Sequence, residues 1–443
     1  MEEYRSLIEE TATMLSERLW SEFRDQLRTS GDEIDGLLWH VAIAVGRRSL
    51  ELLLERWSAF FAETTDARVA TPKLTTFATV LGVVAVRLLR LRERGSREQH
   101  SPMETVFGVC SRGRSPRVQR ALVDFGSEES FAHASERFRE RYGFDVGRTN
   151  ILRLTQSHGV RAEEFVRSKL ERATERVPGH DGADVVFVQL DGSMVPTAES
   201  TTAGRLGKTG RNPKDVLRPR QWREVRVGLA FEDGVVDPTY VAGITSYDDI
   251  VEQLYGAAAN QNMGMETQVV ATADGGNGLR AAVQRRFDDC RFILDHPHLV
   301  SHLWNVAREQ HADAAEDWVD GTLDRLWNGE AAAVHEELKL ELGAIRRAKR
   351  RVPDPAPELR KFLDYLETHI DAVAYQAFED AGWVIGSGRC ESAHRQIPQA
   401  RLKIPGATWT VNTANQVIAL RVLRANGWWD EFWGQTYGPK SAA

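Results

Sequence analysis

Asp191 in VQLDGSMVP, Asp274 in ATADGGNGL and Glu391 in GSGRCESAHR are the acidic residues whose setting points to chemistry rather than to a solvated face. Each aspartate ends an apolar, β-branched run and is followed by glycine, the pattern of a strand breaking into a turn. In an open α/β sheet, ligand sites collect at such ends. An Asp-Gly pair is also an everyday turn, so neither aspartate is diagnostic alone. Glu391 raises the pair to a set: it lies on a helix that Ser387 can cap, with Arg395 one turn further on the same face. Hard oxygen ligands suit Mg2+, and two such ions stabilise both the attacking and the leaving oxygen of a phosphodiester displacement. Without an ion, three close carboxylates repel one another and push at least one pKa upward. Such a cluster serves function rather than stability.

A second concentration lies in FILDHPHLVSHLW, where Asp295, His296, His298 and His302 fall within eight positions. The spacing admits a zinc hydrolase centred on 295–302. It lacks, however, the two-histidine-plus-glutamate helix spacing of zinc proteases, and it leaves Asp191, Asp274 and Glu391 unexplained.

The elements that must position these groups are legible from periodicity. DVVFVQLDG, WREVRVGLAFEDG and PTYVAGITS read as three consecutive strands, the first ending in Asp191; a helix, the strand TQVVATADGG, another helix and the strand CRFILD follow. That order is the order of an RNase H-like α/β core. Between 301 and 384 the strand pattern stops and the chain reads as helical. Upstream, 1–65 carries apolar residues at three- and four-residue steps, a helical packing or dimerisation element. TVLGVVAVRLL is β-branched enough for a strand pair, and GVCSRGRSPRVQR supplies Arg112, Arg114, Arg117 and Arg120. EESFAHASERFRERYG and RTNILRLTQSHG read as two helices around the turn FDVG, the second short and ending at Gly159. This is a helix-turn-helix plan whose Arg148, Asn150, Arg153 and Gln156 are side-chain types that read base edges or phosphates. The expected organisation is a mainly helical region over 1–105, a helix-turn-helix region over 106–180, an α/β core over 181–300, a helical insertion over 301–384, and the rest of the core with the Glu391 helix over 385–443.

Net charge of −7 does not advertise a nucleic-acid binder, although a global sum hides local basic patches. Three scattered cysteines, Cys110, Cys290 and Cys390, argue for a reducing compartment and against a disulfide framework. The acidic, amphipathic start MEEYRSLIEE lacks the basic segment and apolar core of a signal peptide, so none is expected, and apolar runs such as LLWHVAIAV are too short to cross a bilayer. A cytoplasmic protein is expected.

With VQLDGSMVP, QWREVRVGLAF, ATADGGNGL, FILDHPHLVSHLW, GSGRCESAHR, RLKIPGATW and ALRVLRANGWWDEFW in view, the chain resembles the DDE transposases of bacterial insertion sequences, specifically the ISKra-type group allied to the Mutator-like lineage. The resemblance covers about 180 to the C-terminus, and 106–160 more loosely. It implies an RNase H-like catalytic domain with an all-helical insertion between the second aspartate and the glutamate. It also implies cut-and-paste DNA cleavage and joining with two Mg2+ or Mn2+ ions per site, and Asp191, Asp274 and Glu391 as catalytic and metal-binding residues. Asp295 and His298 fill a signature that relatives carry after the fifth strand, and a role in the pocket is expected of them. Relatives often pair cysteines near Cys110, suggestive of a zinc-binding segment; this chain has only Cys110 there and departs from that pattern.

Other features fit a DNA substrate: Arg205, Lys208, Arg211 and Lys214 in a basic stretch between the first two core strands, and Arg401 and Lys403 for the phosphates flanking the scissile bond. Of Trp304, Trp318 and Trp327, one can stack on an extruded base, though packing in a helical core is the plainer use. The partners expected are double-stranded DNA (terminal inverted repeats and target) and a second copy of the chain. The alternative is a catalytically silent or domesticated transposase that only occupies DNA.

Overall fold

Between Gly82 and Leu88 buried and exposed residues alternate strictly, and the chain there forms a strand. The computed structural model describes residues 5–24, 31–65, 68–92, 98–109, 112–179, 181–198, 220–276 and 278–437. They fall into two compact units, Met1–Leu122 with Ala132–Arg148, and Val123–Phe131 with Thr149–Ala443.

The first unit starts with helices α1 (Arg5–Phe23) and α2 (Gly31–Glu63), then β1 (Arg68–Thr79), β2 (Gly82–Arg92), α3 (Pro102–Phe107) and β3 (Gly113–Arg114). The strands make a small sheet in the order β2-β1-β3, so the region 1–105, expected as mainly helical, also holds a sheet. Its cause is the β-branched run, whose side chains fit a half-buried pleated surface. Leu50, Leu54 and Phe61 of α2 pack on Phe77, Val84, Val86 and Leu88, and Met103 and Val109 close this core. The apolar residues Leu7, Ile8, Met14 and Trp20 of α1 stay exposed. Helix α4 (Pro116–Glu128) passes from one unit into the other. In α5 (Phe131–Tyr142), Phe138 packs on Tyr142 and on Phe144 just beyond it.

The second unit continues with α6 (Arg148–Thr174), β4 (Val185–Ala198), β5 (Arg220–Glu232), β6 (Thr239–Gly243), α7 (Tyr247–Asn260), β7 (Gln268–Ala273), α8 (Leu279–Arg286) and β8 (Arg291–Leu294). Helices α9 (His296–Gln310), α10 (Ala315–Trp327), α11 (Ala331–Ala348), α12 (Pro357–Thr368) and α13 (Tyr375–Asp380) follow. The last elements are α14 (Gly388–His394), α15 (Ala400–Leu402), α16 (Val411–Ala425) and α17 (Trp429–Tyr437). The five strands form one mixed sheet in the order β6-β5-β4-β7-β8. β5 runs antiparallel to β4 and β6, while β4, β7 and β8 are parallel. Val186, Phe187, Val188, Gln189 and Leu190 are all buried, because the central strand β4 is covered on both faces.

Two sequence expectations are corrected here. β4 does not end at Asp191; it runs on to Ala198, paired past Leu190 with β5 but not with β7. The helix expected to stop at Gly159 continues to Thr174. Gly159 serves packing instead, since a Cβ there would lie 2.8 Å from the Gln416 carbonyl oxygen of α16. The two helices expected to form a helix-turn-helix fall on either side of the unit division, α5 from Ala132 in the first and α6 from Thr149 in the second.

Two asparagines close the β6 margin. The Ile244 N–H donates to Asn415 Oδ1 at 2.8 Å and Asn415 Nδ2 donates to the Ile244 carbonyl at 3.2 Å. Asn426 makes the same pair with Tyr240, at 2.8 and 3.0 Å. Each side-chain amide stands in for a strand residue, which blunts an edge that would otherwise recruit another strand. Among the described residues no helix is long and apolar enough to cross a membrane.

Candidate metal centre at the strand ends

Ladder register decides where the aspartates go. The last β4–β7 pair is Leu190 with Ala273, and the last β7–β8 pair is Ala273 with Leu294. Asp191, Asp274 and Asp295 therefore follow in one row, on adjacent parallel strands about 4.8 Å apart. Their roles then diverge.

Asp191 and Asp274 are half-buried, and with His298 they form a group whose candidate ligand atoms all lie within 4.8 Å of one another. Asp191 Oδ1 accepts from the Gly192 N–H at 2.7 Å, and its Oδ2 lies 3.6 Å from Nε2 of the buried His394. His394 Nδ1 is 3.2 Å from Ser193 Oγ, while its Nε2 has no hydrogen-bond partner. Burial pushes the Asp191 pKa up against the pull of His394, and the nearby Asp274 adds to the rise. A carboxylate so loosely held, beside a second one, is a donor set suited to a divalent cation.

Asp295 is fully buried and is not a free ligand. Its Oδ2 caps α9 by accepting from the His298 N–H at 3.2 Å and also accepts from His298 Nδ1 at 2.6 Å; its Oδ1 accepts from the Ser387 N–H at 2.6 Å. Burial alone would raise the Asp295 pKa, but the hydrogen bonds from His298 and Ser387 outweigh it and hold the carboxyl below its usual range. The same bond lifts His298 to about 9, against burial and with help from the charges of Asp295, Asp191 and Asp274. His302, one turn on, stacks its ring on Tyr365 at 4.4 Å. Asp295, His298 and His302 thus do not converge on one point, which removes the geometric basis of a zinc site at 295–302.

Glu391 is not part of the close group; α14 carries it exposed at the surface, with Cys390 and His394 turned inward. Ser387 occupies the N-cap position of α14 without a side-chain cap, contrary to expectation. The helix start is gripped from the sheet instead. Gln189, buried two residues before Asp191, donates through Nε2 to the Gly386 carbonyl at 3.0 Å and accepts from the Cys390 N–H at 3.2 Å. Past His394 the helix widens into a π turn over Arg395–Gln399 that contains Pro398, which has no N–H to give.

The helical segment is fastened to the same strand ends. Tyr365 Oη donates to the Asp274 carbonyl at 2.7 Å, His369 Nε2 to the Gly275 carbonyl at 3.1 Å, and Tyr375 Oη to the Leu294 carbonyl at 2.9 Å. Gly275 has φ +72°, and a Cβ on it would meet His369 Nε2 at 2.7 Å, so only glycine fits. From the β5 side, Glu224 crowds Gly192, where a Cβ would run into Glu224 Oε1. Glu224 pairs with Arg226, whose guanidinium lies over the Tyr247 ring at 4.0 Å.

Gln189, His394, Tyr365, His369 and the Glu224–Arg226–Tyr247 set escape sequence reasoning. The signals were present for Gln189, a polar residue inside a buried apolar run, and for His394, one helical step from Glu391.

The expected DNA contacts divide. Arg148, Asn150, Arg153 and Lys403 are exposed. Gln156 instead donates to Thr413 Oγ1 at 2.9 Å. Arg401 is a correction: it is 2% exposed, donates to the Gly126 carbonyl at 3.2 Å, and lies over the rings of Phe131 and Trp409 at 4.7 and 4.6 Å. Burial lowers its pKa to about 10, and it cannot reach a phosphate in this position. Arg205, Lys208, Arg211, Lys214 and Cys110 lie outside the described residues. Trp304, Trp318 and Trp327 are partly buried against the core; Trp318 stacks on His311 at 4.6 Å and Trp327 donates to Gln376 Oε1 at 3.2 Å.

No family model matches the chain. It is similar to the UPF0236 protein in the vanSb 3' region of Streptococcus gallolyticus, 21% identical over 370 residues, which covers 81% of this chain and 74% of that protein.

Proposed function

We propose that the protein is a DDE-type transposase that binds the terminal inverted repeats of its insertion sequence and catalyses metal-dependent DNA strand cleavage and strand transfer. The carrying observation is the register that sets Asp191 and Asp274 side by side where the pairing of β4 with β7 stops. The strand order β6-β5-β4-β7-β8, with β5 antiparallel, is the one an RNase H-like core requires, and the helices of 296–380 follow its last strand as an insertion.

Asp191 and Asp274 fit Mg2+ or Mn2+: they are adjacent, half-buried oxygen donors, and Asp191 is destabilised as a lone charge. When bound, two such ions supply Lewis-acid stabilisation of charge at a phosphodiester and a lowered pKa for water. The chain's own residues do the rest. Gln189 and Asp295 fasten the start of α14, the helix that bears Glu391, to the sheet beside Asp191 and Asp274; Glu391 is the third carboxylate of the proposed set. Tyr365 and His369 hold the turn after β7 in shape through its carbonyls, so that Asp274 keeps its place. Arg148, Asn150, Arg153 and Lys403 are the exposed candidates for the DNA backbone and base edges. Pairing two element ends calls for a second copy of the chain.

The test is to incubate purified protein with DNA bearing the element ends and Mg2+ or Mn2+. Cleavage is expected from the wild type and is lost in Asp191→Asn, Asp274→Asn and Glu391→Gln, with end binding retained. Binding without cleavage by the wild type would favour a silent, DNA-occupying protein. Cleavage that survives all three changes would overturn the assignment.

A further inference from the structure

We propose that His298 is a direct ligand, through Nε2, of the ion held by Asp191 and Asp274, and that Asp295 is the positioning residue that keeps it there. The inference rests on the metal-dependent reading above and departs from its all-carboxylate ligand set.

His298 is the third member of the close group, in the place where the sequence leads one to expect Glu391. Its Nδ1 is already committed, donating to Asp295 Oδ2 at 2.6 Å, so Nε2 is the nitrogen left for an ion. A metal-binding histidine almost always gives its other N–H to a carboxylate or carbonyl, which fixes both tautomer and ring orientation. The supporting carboxylate is itself fixed on every side. Asp295 is 0% exposed, and its backbone N–H donates to the Ala273 carbonyl at 2.9 Å, so the sheet sets its position beside Asp274. The same Oδ2 also caps α9, which holds the first turn that bears His298.

Asp295 reaches further with its other oxygen. Oδ1 accepts from the Ser387 N–H at 2.6 Å, at the threshold of the helix that carries Glu391. One buried carboxylate therefore orients an imidazole ligand and anchors the element bearing the last carboxylate. An ion at Asp191, Asp274 and His298 and the seating of α14 share this bracket. An imidazole among carboxylates also shifts selectivity from Mg2+ toward Mn2+ and later first-row ions.

The experiment uses the full chain and Mn2+ alone, without DNA. Pulsed electron paramagnetic resonance of bound Mn2+ is expected to show nitrogen coupling from one imidazole. His298→Gln removes that coupling and weakens Mn2+ binding at least tenfold, and it lowers the ratio of Mn2+ to Mg2+ affinity. Asp295→Asn keeps an acceptor oxygen but loses the carboxylate; about a 10–100-fold loss of affinity is expected, the usual cost of a damaged supporting contact. If Asp295→Asn does not fold, His298→Gln still decides the matter. Nitrogen coupling absent from the wild type, coupling that persists in His298→Gln, or unchanged affinity in that variant would overturn the proposal. Failure to cleave DNA with Mn2+ and nitrogen coupling in place would count against the transposase reading alone. Mn2+ bound without nitrogen, in an enzyme that cleaves, would count against His298 alone.

Discussion

At the β6 margin of the central sheet, Asn415 and Asn426 give the edge strand the donors and acceptors it lacks, each in a two-way pair of 2.8–3.2 Å. Where the pairing of β4, β7 and β8 stops, Asp191 keeps one oxygen 3.6 Å from a histidine and close to a second carboxylate, and burial raises its pKa. Both places bring polar side chains to the limits of the same sheet. At the first, every group finds a partner, which is what stability asks for. At the second, two carboxylates stay underpaired beside a carboxylate, Asp295, and an amide, Gln189, that are fully bonded, the kind of imbalance that gathers at functional sites.

The largest effect that separates the two places is on chemistry. Asp274→Asn is expected to reduce strand cleavage by about a thousandfold or more, the several kcal/mol that a metal supplies at a phosphodiester, with little change in melting temperature. A variant that loses activity only because it unfolds would erase the distinction.

Acid should act first on the covered side. His158 of α6 is 3% exposed, with its ring 4.8 Å from Trp433, and burial with Arg161 nearby lowers its pKa to about 4. The folded state thus prefers the neutral ring. Its contribution is whole above the unfolded value of about 6.5 and is lost as pH falls toward 4, up to about 3 kcal/mol. His158→Gln should flatten the stability–pH curve in that window, measured by chemical denaturation; an unchanged slope between pH 6.5 and 4 would contradict it.

Smaller still is the effect of opening the margin. Asn415→Ala or Asn426→Ala leaves a strand N–H and carbonyl to water and should cost about 1–2 kcal/mol each, with the double variant prone to associate through its edge. Metal binding should be unaffected in both, as titration with Mn2+ would show.

The strand runs and their order were legible because buried, β-branched segments broken by Asp-Gly leave a period the eye can count. Asp191 and Asp274 were found that way, and register then did the rest. The division of labour among carboxylates was not legible. Nothing in FILDHPHLVSHLW says that Asp295 is consumed by hydrogen bonds, one of them from Ser387, 92 positions away, while His298 lies beside Asp191 and Asp274. Arg401 looked like a phosphate ligand because charge is visible in a sequence and burial between Phe131 and Trp409 is not. Gly159 looked like a helix end because glycine ends helices, yet here its missing Cβ lets α16 approach. The length of α6 was misjudged for the same reason.

The central claim is that Asp191, buried and with Asp274 beside it, is destabilised as a charge and relieved by a divalent ion. Thermal melting of wild type and Asp191→Asn, each with and without Mn2+, tests it most directly and needs no DNA. The expected result is that the metal-free variant melts at or above the wild type, because it no longer buries that charge. Mn2+ then raises only the wild-type melting temperature, by the equivalent of about 2.7 kcal/mol at a hundredfold excess over the dissociation constant. A metal-free Asp191→Asn that melts well below wild type, with the Mn2+ shift intact, would contradict it.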